Sequence, residues 1–296
     1  MYQFLFIFFV YAFLGWCTEV SYAALVTGKF VNRGFLNGPV CPIYGFGVVI
    51  VLACLTPLRD NKLILFFGSV LLTSLLELVT GFVLEKIFHQ HWWDYSDEPF
   101  NLGGYICLRF SIMWGFACMF VVYILHPTIL WFIGIIPHTV GIVLLYLSGS
   151  TMVVDLVATV RTITKINRRL SQIDELAAKI KEASNEFGEN LADKVVDAAE
   201  VGSVLKEELS DRTEDFKEEL AQRREEMQDD LDDMKQAIAK RRAQKQEELL
   251  QLRQRLDELM DGQVFGQSRL MKAFPKMHST DHRRALERLR QRMERK

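Results

Sequence analysis

Charge is nearly missing from the first 160 residues. They hold six Lys/Arg and eight Asp/Glu, whereas residues 161–296 hold 29 of each. So apolar a stretch cannot present the surface of an ordinary soluble domain, and so charged a stretch cannot bury a large core of its own. One globular enzyme of 296 residues is thereby excluded. Other absences narrow the chemistry. There is no GxxxxGK[ST] run, so any ATPase working with this chain is a separate chain. There is no HExxH, no GxSxG and no other catalytic motif, and no cofactor is implied. The five cysteines (Cys17, Cys41, Cys54, Cys107, Cys118) are odd in number, form no CxxC and read as small packing residues. The net charge of −2 does not point to nucleic acid.

Residues 1–26 lack Lys and Arg, which a cleaved signal peptide would carry in its first segment. Tyr2–Val26 therefore reads as a retained first membrane helix, long enough to cross at roughly 20 residues per span. Further spans are expected at Ile43–Leu58 (short), Leu63–Leu84, Ile106–Leu125 and His138–Val160, with Pro127–Ile136 as a connector between two prolines. Arg161, Lys165, Arg168 and Arg169 follow the fifth span, which places that end in the cytoplasm by the positive-inside rule.

Three carboxylates fall within these spans: Glu19, Glu77 and Asp155. In the five-span topology all three lie toward the cytoplasmic ends of their helices, on the side where Arg33 and Arg109 also fall. Two arginines near three acids would lower the cost of holding charge at that depth. The connection between the first two spans, residues 28–47, has five glycines and two prolines among aromatics, with Asn32, Arg33 and Asn37. Too apolar for a solvated loop and too broken for a helix, it suits backbone that dips into the membrane while buried in protein. Asn32, Arg33 and Asn37 are there to satisfy freed carbonyls or a ligand. Together with Glu19, Glu77, Arg109 and Asp155 they form the candidate substrate, ion or structural polar cluster. Between Glu85 and Leu108, Trp92, Trp93 and Tyr95 read as an interfacial aromatic belt. His89 and His91, with Glu85 and Asp94, have zinc-type donors but no fixed geometry, and no metal site is assigned.

Several blocks carry a resemblance: Gly-Trp-Cys-Thr-Glu in the first span, NRGFLNGPVCPIYGFG, LLELVTGFVLEKIF, WDYSDEPFNLGGYICLRFSIMWG, and the closing FPKMHSTDHRRALERL. Residues 1–160 and the C-terminal end resemble the bacterial membrane-protein family known as ABC-transporter type IV, or CmpB-like. The resemblance implies a polytopic protein of the bacterial plasma membrane with permease-like function. It brings no substrate and no catalytic residue. The helical stretch between the two matching regions looks like an addition of variable length.

That stretch, residues 165–260, has no proline and only Gly188 and Gly202. Apolar residues recur at three- and four-residue steps from Ile166, Leu170, Ile173 and Leu176 through Phe187, Leu205, Met227 and Met234 to Leu249, Leu252, Leu256 and Leu259. This is a coiled-coil stripe, with four-residue steps at 183–195 and 201–209 that read as stutters. One unbroken helix would reach about 140 Å. The stripe requires a partner: a second copy, another protein, or the chain folded back as a hairpin, in which the acidic block 207–233 could face the basic block 240–255. The helix should stop at Asp261-Gly262. From Arg269 the tail holds ten Lys/Arg against three acids, interleaved with Leu270, Met271, Phe274, Leu286 and Leu289. That composition suits an anionic lipid surface, and no nucleic-acid-binding fold accompanies it.

The expected architecture is all-α: a transmembrane bundle of about five spans over 1–160, a cytoplasmic coiled coil over 161–262 and a basic tail over 263–296. Two functions compete, a permease-like component and a membrane-anchored coiled-coil scaffold.

Overall fold

The computed structural model describes residues 1–208 and 215–295, with side chains other than those of 186–234 and 238. The described chain is mostly helical, with almost no sheet. Helices α1 (Tyr2–Thr27), α2 (Pro42–Leu55, extended by a 3-10 turn to Leu58) and α3 (Lys62–Phe88) come first. They are followed by α4 (Leu108–Phe120), α5 (His126–Ile135), α6 (His138–Glu208), α7 (Asp215–Asp261), α8 (Gln267–Ala273) and α9 (Arg283–Glu294). Four two-residue strands complete it: β1 (Gln90–His91), β2 (Asn101–Leu102), β3 (Ile106–Cys107) and β4 (His278–Ser279). Four helical runs are long and apolar enough to cross a membrane: Tyr2–Thr27, Lys62–Phe88, Leu108–Ile135 and His138–Asn185. A helix satisfies its own backbone, which is what such a solvent demands. Phe67, Leu71, Leu75, Val79 and Phe82 stand exposed along one side of α3, an apolar face that suits lipid.

The shorter apolar helix Pro42–Leu58 has a specific cause. The Cys41 N–H donates to Ala12 O at 2.9 Å. Ala12 lies fifteen residues before the end of α1, about 22 Å along its axis. Segment 28–41 therefore runs back beside α1, and α2 begins part-way along it. Pro42 opens α2, where its missing N–H is not needed. The two helices then pack so closely that a Cβ on Gly15 would collide with the Tyr44 ring, and one on Gly45 would sit 2.6 Å from Phe8 O. Phe6, Ile7 and Tyr11 of α1 meet Val51, Leu52 and Leu55 of α2, with Leu65, Cys118, Val122, Ile129 and Ile133, in the main apolar core.

One expected boundary moves. Pro127–Ile136 is not a separate connector: the helix runs from Leu108 to Ile135 through a π turn at Val121–Leu125. There the His126 N–H reaches back five residues to Val121 O. The wider turn accommodates Pro127, which has no N–H to donate and whose ring would crowd the preceding turn, and the helix continues past it.

The chain divides into two compact units, Met1–Leu170 with Gln263–Lys296, and Ser171–Gly262. In the first unit the C-terminal segment is an integral part. Strand β4 pairs antiparallel with β1, Gln90 opposite Ser279 and His91 opposite His278. Leu270, Met271, Met277, Leu286 and Leu289 are buried, and the Phe274 ring meets Trp92 edge-on at 5.2 Å. The apolar residues of the tail thus face protein. Their periodicity is the same whether the apolar face meets lipid or a neighbouring element. The Arg169 Nη1 donates to Gln267 Oε1 at 2.9 Å, so residues 171–262 leave and re-enter the first unit at neighbouring points.

In the second unit Ile173 and Leu176 are buried within the single chain, and Leu249, Leu252, Leu256 and Leu259 are half-buried. Glu175 lies within electrostatic reach of Arg255. The stripe from Phe187 to Met234, its stutters and the acidic block 207–233 lie outside the described side chains.

Replacing 171–262 with a short Gly/Ser linker should leave the melting temperature of the remaining protein in detergent within a few degrees of wild type. A truncation ending at Leu170, which also discards the C-terminal segment, should unfold at a markedly lower temperature. Equal melting of the two would show that the segment contributes no stability.

Candidate functional site

The segment 28–41 belongs to no helix or ladder, and its backbone groups find side chains instead. The Asn32 amide oxygen accepts from the Trp16 indole Nε1 at 2.7 Å and from Gly34 N at 3.0 Å, and its Nδ2 donates to Asn37 O at 2.7 Å. Asn37 uses every polar group it has. Its N–H and Nδ2 donate to Asp155 Oδ1 at 3.0 and 2.8 Å, and Nδ2 also donates to Thr159 Oγ1 at 3.0 Å. Its Oδ1 accepts from Arg269 Nε at 3.0 Å. Asp155 Oδ2 accepts the Gly38 N–H at 2.7 Å, and a Cβ on Gly38 would crowd that oxygen at 3.2 Å. Arg269 completes the set, donating from Nη1 to Gly34 O at 2.7 Å and from Nη2 to Phe35 O at 3.1 Å. Burial draws the Arg269 pKa below its ordinary value and Asp155 opposes this; a guanidinium stays charged through such a shift.

Beside this node lies a less complete one. Glu19 Oε1 accepts from the Tyr44 hydroxyl at 2.6 Å, and Oε2 faces Arg33 Nε at 3.1 Å. That ion pair is not aligned as a hydrogen bond, which leaves Arg33 Nε buried without one. The Arg33 guanidinium stands 5.5 Å over the Tyr22 ring. Glu77 Oε1 accepts from the Tyr95 hydroxyl at 3.2 Å, while Oε2 is buried with no partner. Burial and the Glu77 carboxylate push the Tyr95 pKa well above its ordinary value, which keeps it a donor. Phe110 stacks on Tyr95 at 4.9 Å and Trp114 meets Tyr44 at 5.4 Å. Glu19 and Glu77 lie within each other's electrostatic field.

The expected neutralisation of three acids by Arg33 and Arg109 is not the arrangement found. Arg33 meets Glu19. Arg109 is largely exposed, faces Glu98 at 3.6 Å and lies over Phe110. Asp155 is answered by loop N–H groups and, through Asn37, by Arg269. Glu77 has no cation among the described residues. Arg269, Thr159, Tyr44 and Tyr95 are the members that sequence reasoning missed. Tyr44 stood in the loop already singled out, but Arg269 carried no local signal.

The histidines form a third group, which docks the C-terminal segment. His91 Nδ1 lies 2.6 Å from Glu85 Oε2, and its ring stacks on His278 at 4.9 Å. His89 faces Asp281 at 3.0 Å. No trio of His, Cys, Asp or Glu among the described residues is placed to hold a metal ion.

A sequence profile of the family described as "Putative ABC-transporter type IV" matches residues 6–160. The chain belongs to that family. The match runs from α1 into α6 and includes Glu19, the packed loop, Glu77 and Asp155; Arg269 lies beyond it. No curated protein and no solved structure matches the chain. The ABC-transporter type IV region thus contains both acid nodes, and the C-terminal segment brings an additional arginine to one of them.

Two outcomes are expected. Asn37→Ala, Asp155→Ala and Arg269→Ala should each destabilise the protein by about 2–4 kcal/mol, because each leaves buried polar partners unanswered. The double variants should lose much less than the sum, as residues in one network do. Thermal unfolding in detergent tests this, and additive losses would dissolve the network.

Burial alone would raise the Asp94 pKa, but the bonds from Ser96, with His278 and His91 nearby, outweigh it and hold it below the ordinary carboxylate value. Its stabilising effect is therefore present above the ordinary pKa and is lost as pH falls through the folded value. Asp94→Asn should flatten the acid limb of stability against pH.

Proposed function

We propose that this chain is a permease-like, multi-pass component of the plasma membrane, with the 171–262 side in the cytoplasm, that engages a substrate or ion at Glu19, Arg33 and Glu77 and works with a separate ATPase chain. The observation that carries this reading is the buried, unpartnered Oε2 of Glu77 beside the Glu19–Arg33 ion pair. A carboxylate held among apolar helices without a cation is costly, and such residues mark substrate and ion paths. The half-length α2, entered from irregular backbone, supports it further, since interrupted helices line binding sites in many transporters. The basic run after α6 begins to leave the apolar stretch, Arg161 to Arg169, supports the orientation.

A second reading is favoured by a different observation. Residues 171–262 form a compact unit of their own, which a permease does not require. In this reading the membrane unit anchors a helical scaffold, and the stripe beyond its base takes a second copy or another protein.

The two readings separate in cells whose growth or uptake depends on the chain. Glu77→Gln and Arg33→Gln should abolish the dependent phenotype while the protein still inserts and melts normally, and replacement of 171–262 by a linker should weaken it less. Loss only on removal of 171–262 would establish the scaffold instead.

A further inference from the structure

Residues 269–296 hold ten Lys/Arg, and the fold employs them unequally. Arg269 is spent on the packed loop. Lys276 pairs with Asp97 at 3.1 Å, Arg283 with Glu287 at 3.2 Å, and Arg290 Nη2 donates to Met277 O at 2.9 Å. Arg292 is engaged as well. Arg284, Arg288 and Arg295 are exposed and have no partner among the described residues. Arg295 follows the last residue of α9 and keeps a right-handed helical backbone, so steps of four and seven residues place all three within about 40° of one another around the helix axis. The opposite side of α9 carries Leu286 and Leu289, both buried against the first unit. The arginine face is therefore held outward on a fixed element.

Its position is fixed too. The Thr280 N–H donates to His89 O at 3.1 Å, and His89 is the left-handed residue that ends α3. Arg284 follows Thr280 by four residues, so its Cα lies at most about 14 Å from that of Thr280, which is tied to the end of α3. At physiological salt charges act over about 8 Å, so contact with a membrane surface requires the arginine side chains to meet the headgroups directly.

We infer that the Arg284–Arg288–Arg295 face of α9 docks on the anionic phospholipid headgroups of the leaflet at which α3 ends. The inference rests on the proposed reading of α3 as a membrane span. Because the apolar side of α9 is occupied by protein, the contact is electrostatic and without insertion, unlike that of an amphipathic helix lying in the interface. The headgroups are the occupant that fits: they are anionic, and the span that carries the segment keeps them always within reach. A nucleic acid would have to be recruited to a patch of three cations, too few for tight phosphate binding at physiological salt.

Hydrogen exchange of the full-length protein in nanodiscs tests this. With phosphatidylglycerol present, the amides of 283–294 should exchange severalfold more slowly than in pure phosphatidylcholine discs, and high salt should remove the difference. R284Q/R288Q/R295Q should abolish it while the amides of β1 and β4 stay protected. R284K/R288K/R295K should retain it. Equal exchange of α9 in both discs would overturn the inference, as would protection that survives the glutamine variant. Slowing by an added oligonucleotide in phosphatidylcholine discs, with none from phosphatidylglycerol, would overturn it in favour of nucleic acid. Fast exchange throughout α3 in either disc would overturn the span reading itself, and the inference with it.

Discussion

Irregular backbone packed among helices has to find partners for the N–H and C=O groups that it buries. Residues 28–41 pose that demand, and much of the first unit is arranged around meeting it. Asn32 and Asn37 fold the segment on itself, Asp155 of α6 accepts two of its N–H groups, and Arg269 donates to two of its carbonyls. Acceptor and donor have opposite charge and both meet Asn37, so neither stands uncompensated. This explains why the chain returns after residue 262 to the unit it left at 170: the loop needs a guanidinium that the first 170 residues do not bring to it. Arg33, the one arginine inside the loop, is turned toward Glu19.

The two polar nodes differ in completeness, and that difference carries functional weight. In the Asp155–Asn37–Arg269 node donors and acceptors match, as in a structural network, where full satisfaction gives rigidity. In the neighbouring node Glu77 keeps one carboxylate oxygen unanswered and Arg33 keeps one N–H unaligned. Buried polar atoms without partners are rare in native proteins and call for an explanation. Under the proposed function, the rigid node fixes the geometry in which the incomplete one would accept a ligand. Gly15 and Gly45 add to the rigidity by letting α1 and α2 close to backbone contact, which sets Tyr44 against Glu19.

Much of this was legible before any coordinates. Low charge and long apolar runs located α1, α3 and the start of α6, and the glycines, prolines and asparagines of 28–47 marked irregular backbone, which the structure has over 28–41, whereas 42–47 open α2. Asp155 was recognisable because a carboxylate in an apolar run stands out. Its partners were not. Arg269 lies 232 residues from Asn37 along the chain, and nothing local distinguishes it from the nine other basic residues of the tail. The tail's apolar pattern specifies one buried face without saying whether protein or lipid covers it. Arg109 was assigned to the acids by topology alone, and topology fixes the depth of a side chain but not its direction around the helix. Pro127 was read as a break because a π turn leaves no mark in composition.

The same geometry accounts for the helical insertion between the two parts of the first unit. Closing a long excursion costs entropy that grows only slowly with length, about 0.6 kcal/mol per doubling for a flexible chain. Here the closure is set by contacts that belong to the first unit: Arg169 to Gln267, Arg269 to the loop, and β1 to β4. With both roots fixed, the excursion adds little strain to the unit that carries it. Near the base Ile173 and Leu176 are buried within the single chain. The loop, Asp155 and Arg269, by contrast, are held to one geometry by the backbone they satisfy.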